Sequence, residues 1–380
     1  MKKKIYFALS LIIATVMILA SCGGGGGGND EVAPAPSGGG EATAPAVTPD
    51  ADDGTVYVAD INITHGELAG PRLAERFNEL EELSGGRIQT NVYWASSLVP
   101  ISDVPKGFQS GAMTFGNLAT PNYPDILPLT CRIMQMPFIG LQDPVDSAEI
   151  YMQMLDEFPQ ISEEMAKFNM LPIAVPTLGT YDLHFTDKNK EVRLPADLNG
   201  RKMVPYNVTF LPLFEANNAA GSFVGPAQMY ENLEKGVADG YINNWSFAGK
   251  FGLTDLVQQH MQFGEYGAFT EFNLLVINLE YYNSLPADLQ QVWVDVFRNN
   301  GGYKDMWDDE VDLIVREKAA AEAKDDLITT LTPEEYEVWK AELMPQHAII
   351  LDEICAARGD NVAYDMYNRL VEIIGERYGV

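Results

Sequence analysis

Val56-Tyr-Val-Ala-Asp-Ile-Asn-Ile63, Pro71-Arg-Leu-Ala-Glu-Arg-Phe-Asn-Glu-Leu-Glu-Glu-Leu83 and Arg87-Ile-Gln-Thr-Asn-Val-Tyr-Trp94 decide the fold class. The first run is apolar and β-rich, which marks a buried strand. In the second, a proline at the start precedes Leu73, Phe77, Leu80 and Leu83 near helical spacing, and Gly85-Gly86 stops the helix. In the third, Ile88, Thr90, Val92 and Trp94 alternate with other residues, as in a strand with one buried face. Strand, helix and strand in that order make a βαβ unit and hence a parallel sheet.

The pattern repeats loosely downstream. Leu171–Val175, Arg201–Val204, Ala238–Asn243 and Phe272–Asn278 read as strands. Pro195–Gly200 reads as a short helical turn and Tyr230–Gly236 as a helix. Leu289, Val292, Trp293, Val296 and Phe297 form one helical stripe. The last eighty or so residues are acidic and helix-prone, with Thr332-Pro-Glu-Glu335 supplying an N-cap, a first-position proline and a capping-box glutamate. No internal repeat is evident.

Composition narrows the function. The 380 residues carry a net charge of −29, the wrong sign for a nucleic-acid surface. Hydrophobic residues at 46% suffice for a packed core, and the length fits about two domains. Three cysteines are too few for a disulfide scaffold, and four histidines leave little room for a histidine-rich metal site. No G-x-S-x-G elbow, H-E-x-x-H or P-loop is present, so nothing marks an enzyme. Glu163-Glu164 and Asp308-Asp309 read as solvated helix faces. No cofactor is expected.

Lys2, Lys3 and Lys4 precede an apolar run, Ile5 to Ala20, of secretory-signal length. It ends in Leu19-Ala20-Ser21-Cys22, which resembles the bacterial lipobox, whose cysteine becomes the lipidated first residue after cleavage. Residues 1–21 are then a signal peptide and 22–53 a flexible Gly/Pro-rich tether. Loss of three lysines takes the net charge from −29 to −32. The expected location is extracytoplasmic, at the membrane through the lipid on Cys22. Cys131 and Cys355 remain, either as one disulfide or, as preferred here, as small buried residues.

Four stretches carry a family resemblance: Leu83-Ser-Gly-Gly-Arg87, Met136-Pro-Phe-Ile139, Pro195-Ala-Asp-Leu-Asn-Gly200 and Tyr230-Glu-Asn-Leu-Glu-Lys-Gly-Val-Ala-Asp-Gly240. In this order they resemble the dicarboxylate-binding (DctP-like) solute-binding proteins of TRAP transporters. The resemblance implies a two-lobed α/β fold of the periplasmic-binding-protein type, with a hinge cleft and long C-terminal helices. Lobe I is expected in 54–178 with 270–308, and lobe II in 179–269 with 309–380. The implied function is capture of a small organic solute outside the membrane and delivery to membrane permease subunits, by a chain expected to act as a monomer. The alternatives are the binding lipoprotein of an ATP-driven importer and a sensor-coupled binding protein.

The same resemblance implies a carboxylate-clamping arginine four residues after Gly200, where this chain has Val204, and a second two residues after Gly179, where it has Tyr181. Arg201 falls on the opposite side of the strand, and Lys202 has the right parity but lies upstream. Asn243 stands where the family has its ligand asparagine. Tyr181, Val204, Tyr206 and Trp245 are read as an apolar and aromatic wall, although Trp245 could be ordinary core. His65 follows the first strand, where ligands commonly meet a sheet, or is a capped loop residue. Asn117 and Thr120 occupy the equivalent end of a later strand, and Arg132 is the candidate replacement anion partner. Asp239 and Gly240 are read as shaping the turn. No metal ligand is assigned.

Overall fold

A computed structural model describes residues 54–264 and 267–379. Lipidation at Cys22, the signal and the tether lie outside the described residues.

The opening βαβ unit forms as read. β1 (Tyr57–Asn62) and β2 (Ile88–Tyr93) pair in parallel, joined by the helix Pro71–Leu83, whose Leu73, Phe77 and Leu80 are buried. β3 (Phe115–Ala119) continues the parallel set. β4 (Met170–Ala174), β5 (Thr177–Thr180) and the long β11 (Thr270–Asn278) complete the first sheet in the order β2-β1-β3-β11-β4, with β5 also on β11. β11 runs antiparallel to its neighbours and is buried throughout. Alternation sends Leu275 and Ile277 into the core under Pro71–Leu83, and Leu274 and Val276 into the core on the other face.

The second sheet has the order β12-β10-β6-β9-β7-β8. Its members are β6 (Asp182–Phe185), β7 (Lys202–Met203), β8 (Ala220–Gly221), β9 (Gly240–Asn243), β10 (Gln259–Gln262) and β12 (Leu327–Thr330). The chain thus folds as two α/β lobes, one per sheet. Two segments cross between them: β5 runs through Tyr181 into β6, and β10 leads through 263–269 into β11. They bond to each other where Tyr181 N–H donates to Phe269 C=O at 2.9 Å.

Some elements differ from the sequence reading. Arg201–Val204 keeps only two residues of strand, because Pro205 has no N–H with which to extend the ladder. β12 interrupts the helical C-terminal region. The helix Pro333–Leu343 has its capping box, with Thr332 Oγ1 accepting from Glu335 N–H at 3.3 Å and Glu335 Oε2 from Thr332 N–H at 2.8 Å. It packs under the second sheet through Trp339 and Leu343. The helices Pro345–Arg358 and Val362–Tyr378 do not follow it. Their Ile350, Leu351, Ile354, Met366, Leu370 and Ile374 join the core of the first sheet, correcting the expected placement of all of 309–380 with lobe II. Cys131 and Cys355 are free thiols, Cys131 buried and Cys355 half-buried.

One buried acid holds the first lobe's turn. Glu164 accepts from Leu129 N–H at 3.1 Å, Thr130 N–H at 3.0 Å and Thr130 Oγ1–H at 2.7 Å. Burial raises its carboxyl above the ordinary range despite these donors. Glu164→Ala orphans all three donors and is expected to cost about 3 kcal/mol in denaturant unfolding, with a smaller loss for Glu164→Gln. A loss below about 1 kcal/mol for the alanine variant contradicts this account.

Candidate functional site

A cavity of about 30 Å³ lies between the two sheets, beside the crossing segments. The first lobe contributes Thr64 and His65 just past β1, Ala119 at the end of β3, and Glu271 and Asn273 from β11. These are strand ends of an α/β sheet, where ligands commonly bind. The second lobe contributes Tyr206 and, around the helix Trp245–Phe251, Asn244, Phe247, Lys250 and Phe251. The cavity continues past the shared Thr64, Ile101 and Phe251 into an open groove of about 480 Å³ that also meets Ser96, Pro226 and Tyr230.

Glu271 is the central polar group. Its Oε2 accepts from Tyr181 O–H at 2.8 Å and from Asn244 Nδ2 at 3.4 Å. Burial pushes its carboxyl up to about 7, with nearby Glu310 acting the same way and Tyr181 and Lys250 opposing. Lys250 forms an ion pair with Glu310, each side chain only 5% exposed. Glu310 Oε2 is buried without a partner among the described residues. Asn244 caps its helix, Oδ1 accepting from Phe247 N–H at 2.7 Å and Ser246 O–H at 2.8 Å.

His65 lines the cavity as read. Its Nδ1–H donates to Gly66 C=O at 3.1 Å, and burial with the charge of Lys250 holds its pKa down at about 3, so the ring is neutral. Gly70 is required beside it, since a Cβ there would lie 2.6 Å from His65 Cε1. Tyr206 also lines the cavity, its hydroxyl accepting from Asn122 Nδ2 at 2.8 Å. Asn117 supports the wall from behind, accepting from Thr64 N–H at 2.9 Å and donating to Thr64 Oγ1 at 2.7 Å and Asn273 Oδ1 at 3.0 Å. Thr120 is buried and donates to Phe272 C=O at 2.7 Å. Tyr181 reaches the site through its hydroxyl on Glu271.

Other expected residues stand elsewhere. Val204 is buried in the apolar cluster of Tyr206, Tyr241 and Phe247, not on the cavity wall. Asn243 is fully buried beneath the site; its Oδ1 accepts from Asn244 N–H at 2.7 Å and its Nδ2 has no partner among the described residues. Trp245 faces away from the cavity, its Nε1–H on Asp182 Oδ2 at 3.1 Å. Asn244 ends the strand, so from Trp245 onward the helical phase replaces strand parity. Arg132 is paired with Glu353 at 2.7 Å on the first lobe and does not reach the cavity. Arg201 lies over the Phe185 ring at 4.5 Å, outside the two-residue strand and away from the cavity lining. Asp239 Oδ2 accepts from Lys202 N–H at 2.8 Å, a turn contact.

Lys250, Glu271, Glu310 and Asn244 were not found by sequence reading. The available signal was an acid adjoining the otherwise apolar run Phe272–Asn278. Histidines are prominent below the site. His184 Nδ1 and His260 Nδ1 lie 2.7 Å apart, and His184 Nε2–H donates to Asn243 C=O at 3.1 Å. Among the described residues, no group of three or more His, Cys, Asp or Glu is placed to hold a metal ion.

A raised carboxyl predicts a definite pH dependence. The fold favours protonated Glu271, so its contribution to stability is present below the ordinary value of 4.5 and is lost as pH rises to about 7. His65 and His260, held near 3, act in the opposite direction. Glu271→Gln isolates the acid: its melting temperature relative to the parent is expected to rise between pH 5 and pH 8. A difference independent of pH counts against a buried titrating Glu271.

The model of the family described as "Bacterial extracellular solute-binding protein, family 7" matches residues 66–353. A curated relative, "Solute-binding protein" of Chromohalobacter salexigens, is 25% identical over 207 residues, which make 54% of this chain and 58% of that protein. The chain therefore spans under two thirds of that relative's length. Among solved structures, a TRAP solute-binding protein from Rhodoferax ferrireducens in complex with copurified benzoate has TM-score 0.72 at 19% identity, over 84% of this chain and 98% of that one. A TRAP periplasmic solute-binding protein from Chromohalobacter salexigens with bound D-glucuronate has TM-score 0.71 at 18% identity, over 82% and 99%. At these identities the structural likeness establishes the fold.

Proposed function

The chain belongs to the bacterial extracellular solute-binding proteins, family 7, and from that premise we propose that it captures a small organic solute outside the cytoplasmic membrane for a TRAP-type permease. The observation that carries this reading is the cavity between two lobes that are joined by crossing strands, a mostly apolar space with Lys250, Glu271 and Asn273 on its wall. At about 30 Å³ it holds little more than water, so an organic solute enters only when the lobes part. Hinge bending at the crossings then closes the lobes on it. The likeness to proteins that hold benzoate or glucuronate supports an organic acid or a similar polar molecule. Small-angle scattering is expected to give a smaller radius of gyration when a tight solute is added. Tight binding with no compaction would sink the hinge account.

The charges in the site argue for a neutral or singly charged solute. Lys250 is the basic side chain on the cavity wall that carries charge, and Glu310 already engages it. Glu271 adds negative charge, while Val204 and Tyr181 stand where the family resemblance places arginines. A dianion closed in here has no free cation, and an unpaired buried charge is strongly disfavoured. By calorimetry, succinate, malate and fumarate are expected to bind no more tightly than about millimolar. Submicromolar binding of any of them shows that Lys250 has left Glu310 to serve as the clamp.

Anchoring through Cys22 belongs to the same proposal. Leu19-Ala20-Ser21 before the cysteine and the glycine-rich tether after it support a lipid leash that leaves the lobes free to meet a permease. Cys22→Ala is expected to move the protein into the soluble extracytoplasmic fraction. Retention on membranes after a salt wash places the anchor elsewhere.

A further inference from the structure

The crossing strand β5–β6 has two faces. Tyr181 points forward to Glu271, while Thr180 and Asp182 point backward, as strand alternation requires. Behind the strand lies a second cavity of about 440 Å³, within the range of small-molecule sites and far larger than the front cavity as it stands. One wall is a face of the helix Gly302–Ala323, with Trp307, Val311, Ile314 and Lys318 at successive helical turns. Opposite are Trp245 and Gln262 of the second lobe, and Gln142 and Pro144 at the start of the first-lobe helix Pro144–Glu157.

The polar groups of this cavity are arranged for a ligand. Asp182 accepts from Phe263 N–H at 3.1 Å and Trp245 Nε1–H at 3.1 Å, which fixes the indole; burial raises its carboxyl to about 6, while the charge of Lys318 across the cavity pulls it back down. Lys318 is half-buried and forms no ion pair among the described residues; its Nζ lies 5.6 Å from the Trp245 ring centroid. A cation above a fixed aromatic face, with Trp307 at the other end of the same wall and amides at the rim, presents a positive point beside flat apolar surface.

We propose that the cavity behind the crossing strands is a second ligand site, which takes a small aromatic carboxylate with its carboxylate on Lys318 and its ring among Trp245 and Trp307, and whose occupancy favours the closed front cleft. The coupling follows from position. The cavity has walls from both lobes and lies across the crossing strands from the front cleft. Parting the lobes in front brings the rear walls together and squeezes out an occupant. An occupant therefore resists opening, and by linkage a front solute and a rear ligand raise each other's affinity.

The test uses the intact protein with benzoate, benzyl alcohol and benzylamine as probes, read by calorimetry and tryptophan fluorescence. Benzoate is expected to bind best and benzylamine worst. Lys318→Ala and Trp307→Ala should each weaken benzoate roughly tenfold, the scale of losing one cationic or stacking contact. Lys318→Arg should retain binding. Benzoate should also reduce the radius of gyration of the parent but not of Lys318→Ala. Circular dichroism melts verify that each variant is folded, and Lys318→Glu serves as a second charge test if the alanine variant is not. Loss of benzoate binding in Glu271→Gln alone would place it in the front cleft and overturn the second site while leaving solute capture intact. Indifference to Lys318 and Trp307, equal binding of benzylamine, or no saturable benzoate binding also overturns it. Binding without compaction overturns the coupling.

Discussion

The bond between Tyr181 and Glu271 joins the two segments on which the architecture depends. Tyr181 sits between β5 and β6, where one strand leaves the first sheet for the second, and Glu271 opens β11, where the other returns. Main-chain pairing of Tyr181 with Phe269 sets the register of the crossing, and the side-chain bond at 2.8 Å locks its front face. Gly267 allows the approach: its φ is +59°, and a Cβ there would lie 2.3 Å from Thr180 Cβ. A buried carboxylate at this point carries a desolvation cost, and its donors come from the crossing strand and from the Asn244 cap of the second lobe. The crossing between the lobes and the cavity wall therefore share Glu271.

The charged groups form one balanced set. Lys250 from the second lobe meets Glu310 on the helix Gly302–Ala323, and Glu271 senses both. The same helix is tied to the first lobe by Arg72–Asp309 at 2.7 Å and by the Arg76–Asp305 pair. Near its other end Glu317 accepts from Thr254 O–H at 2.5 Å. The helix is thus fastened to both lobes, with the Lys250–Glu310 pair between its two sets of anchors.

Periodicity made much of the fold legible. The βαβ unit over 56–94 and the cap at Thr332 rest on local spacing and local hydrogen bonds, and both are found where the spacing places them. The family resemblance made the two lobes legible. Placement of the C-terminal helices was not, because amphipathic helices such as Pro345–Arg358 and Val362–Tyr378 carry an apolar face with no mark of which core receives it. The site was legible in part. His65 and Tyr206 follow strand ends, and position alone selects them. Trp245 was assigned to the wrong wall because strand parity was continued one residue past the Asn244 cap. Glu271 and Lys250 escaped because each sits within an ordinary pattern, one at the edge of an apolar strand and the other in the last turn of a short helix.

The family resemblance places arginines where this chain has Tyr181 and Val204, and both of these residues have definite contacts in the fold. An arginine at 181 would enter a fully buried position beside Glu271 and could pair with it; tyrosine offers a single neutral donor instead. With a guanidinium present, Glu271 would be held ionised and the site would keep a fixed dipole. The Tyr181 hydrogen bond only partly offsets burial, which raises the Glu271 carboxyl to about 7. Val204, in the second lobe, fills an apolar cluster with Tyr206 and Phe247 where a charged side chain would need a partner. At the cavity wall the polar groups beside Lys250 are therefore hydrogen-bonding ones, among them Glu271, Asn244 and the neutral His65, and no guanidinium among the described residues lines it.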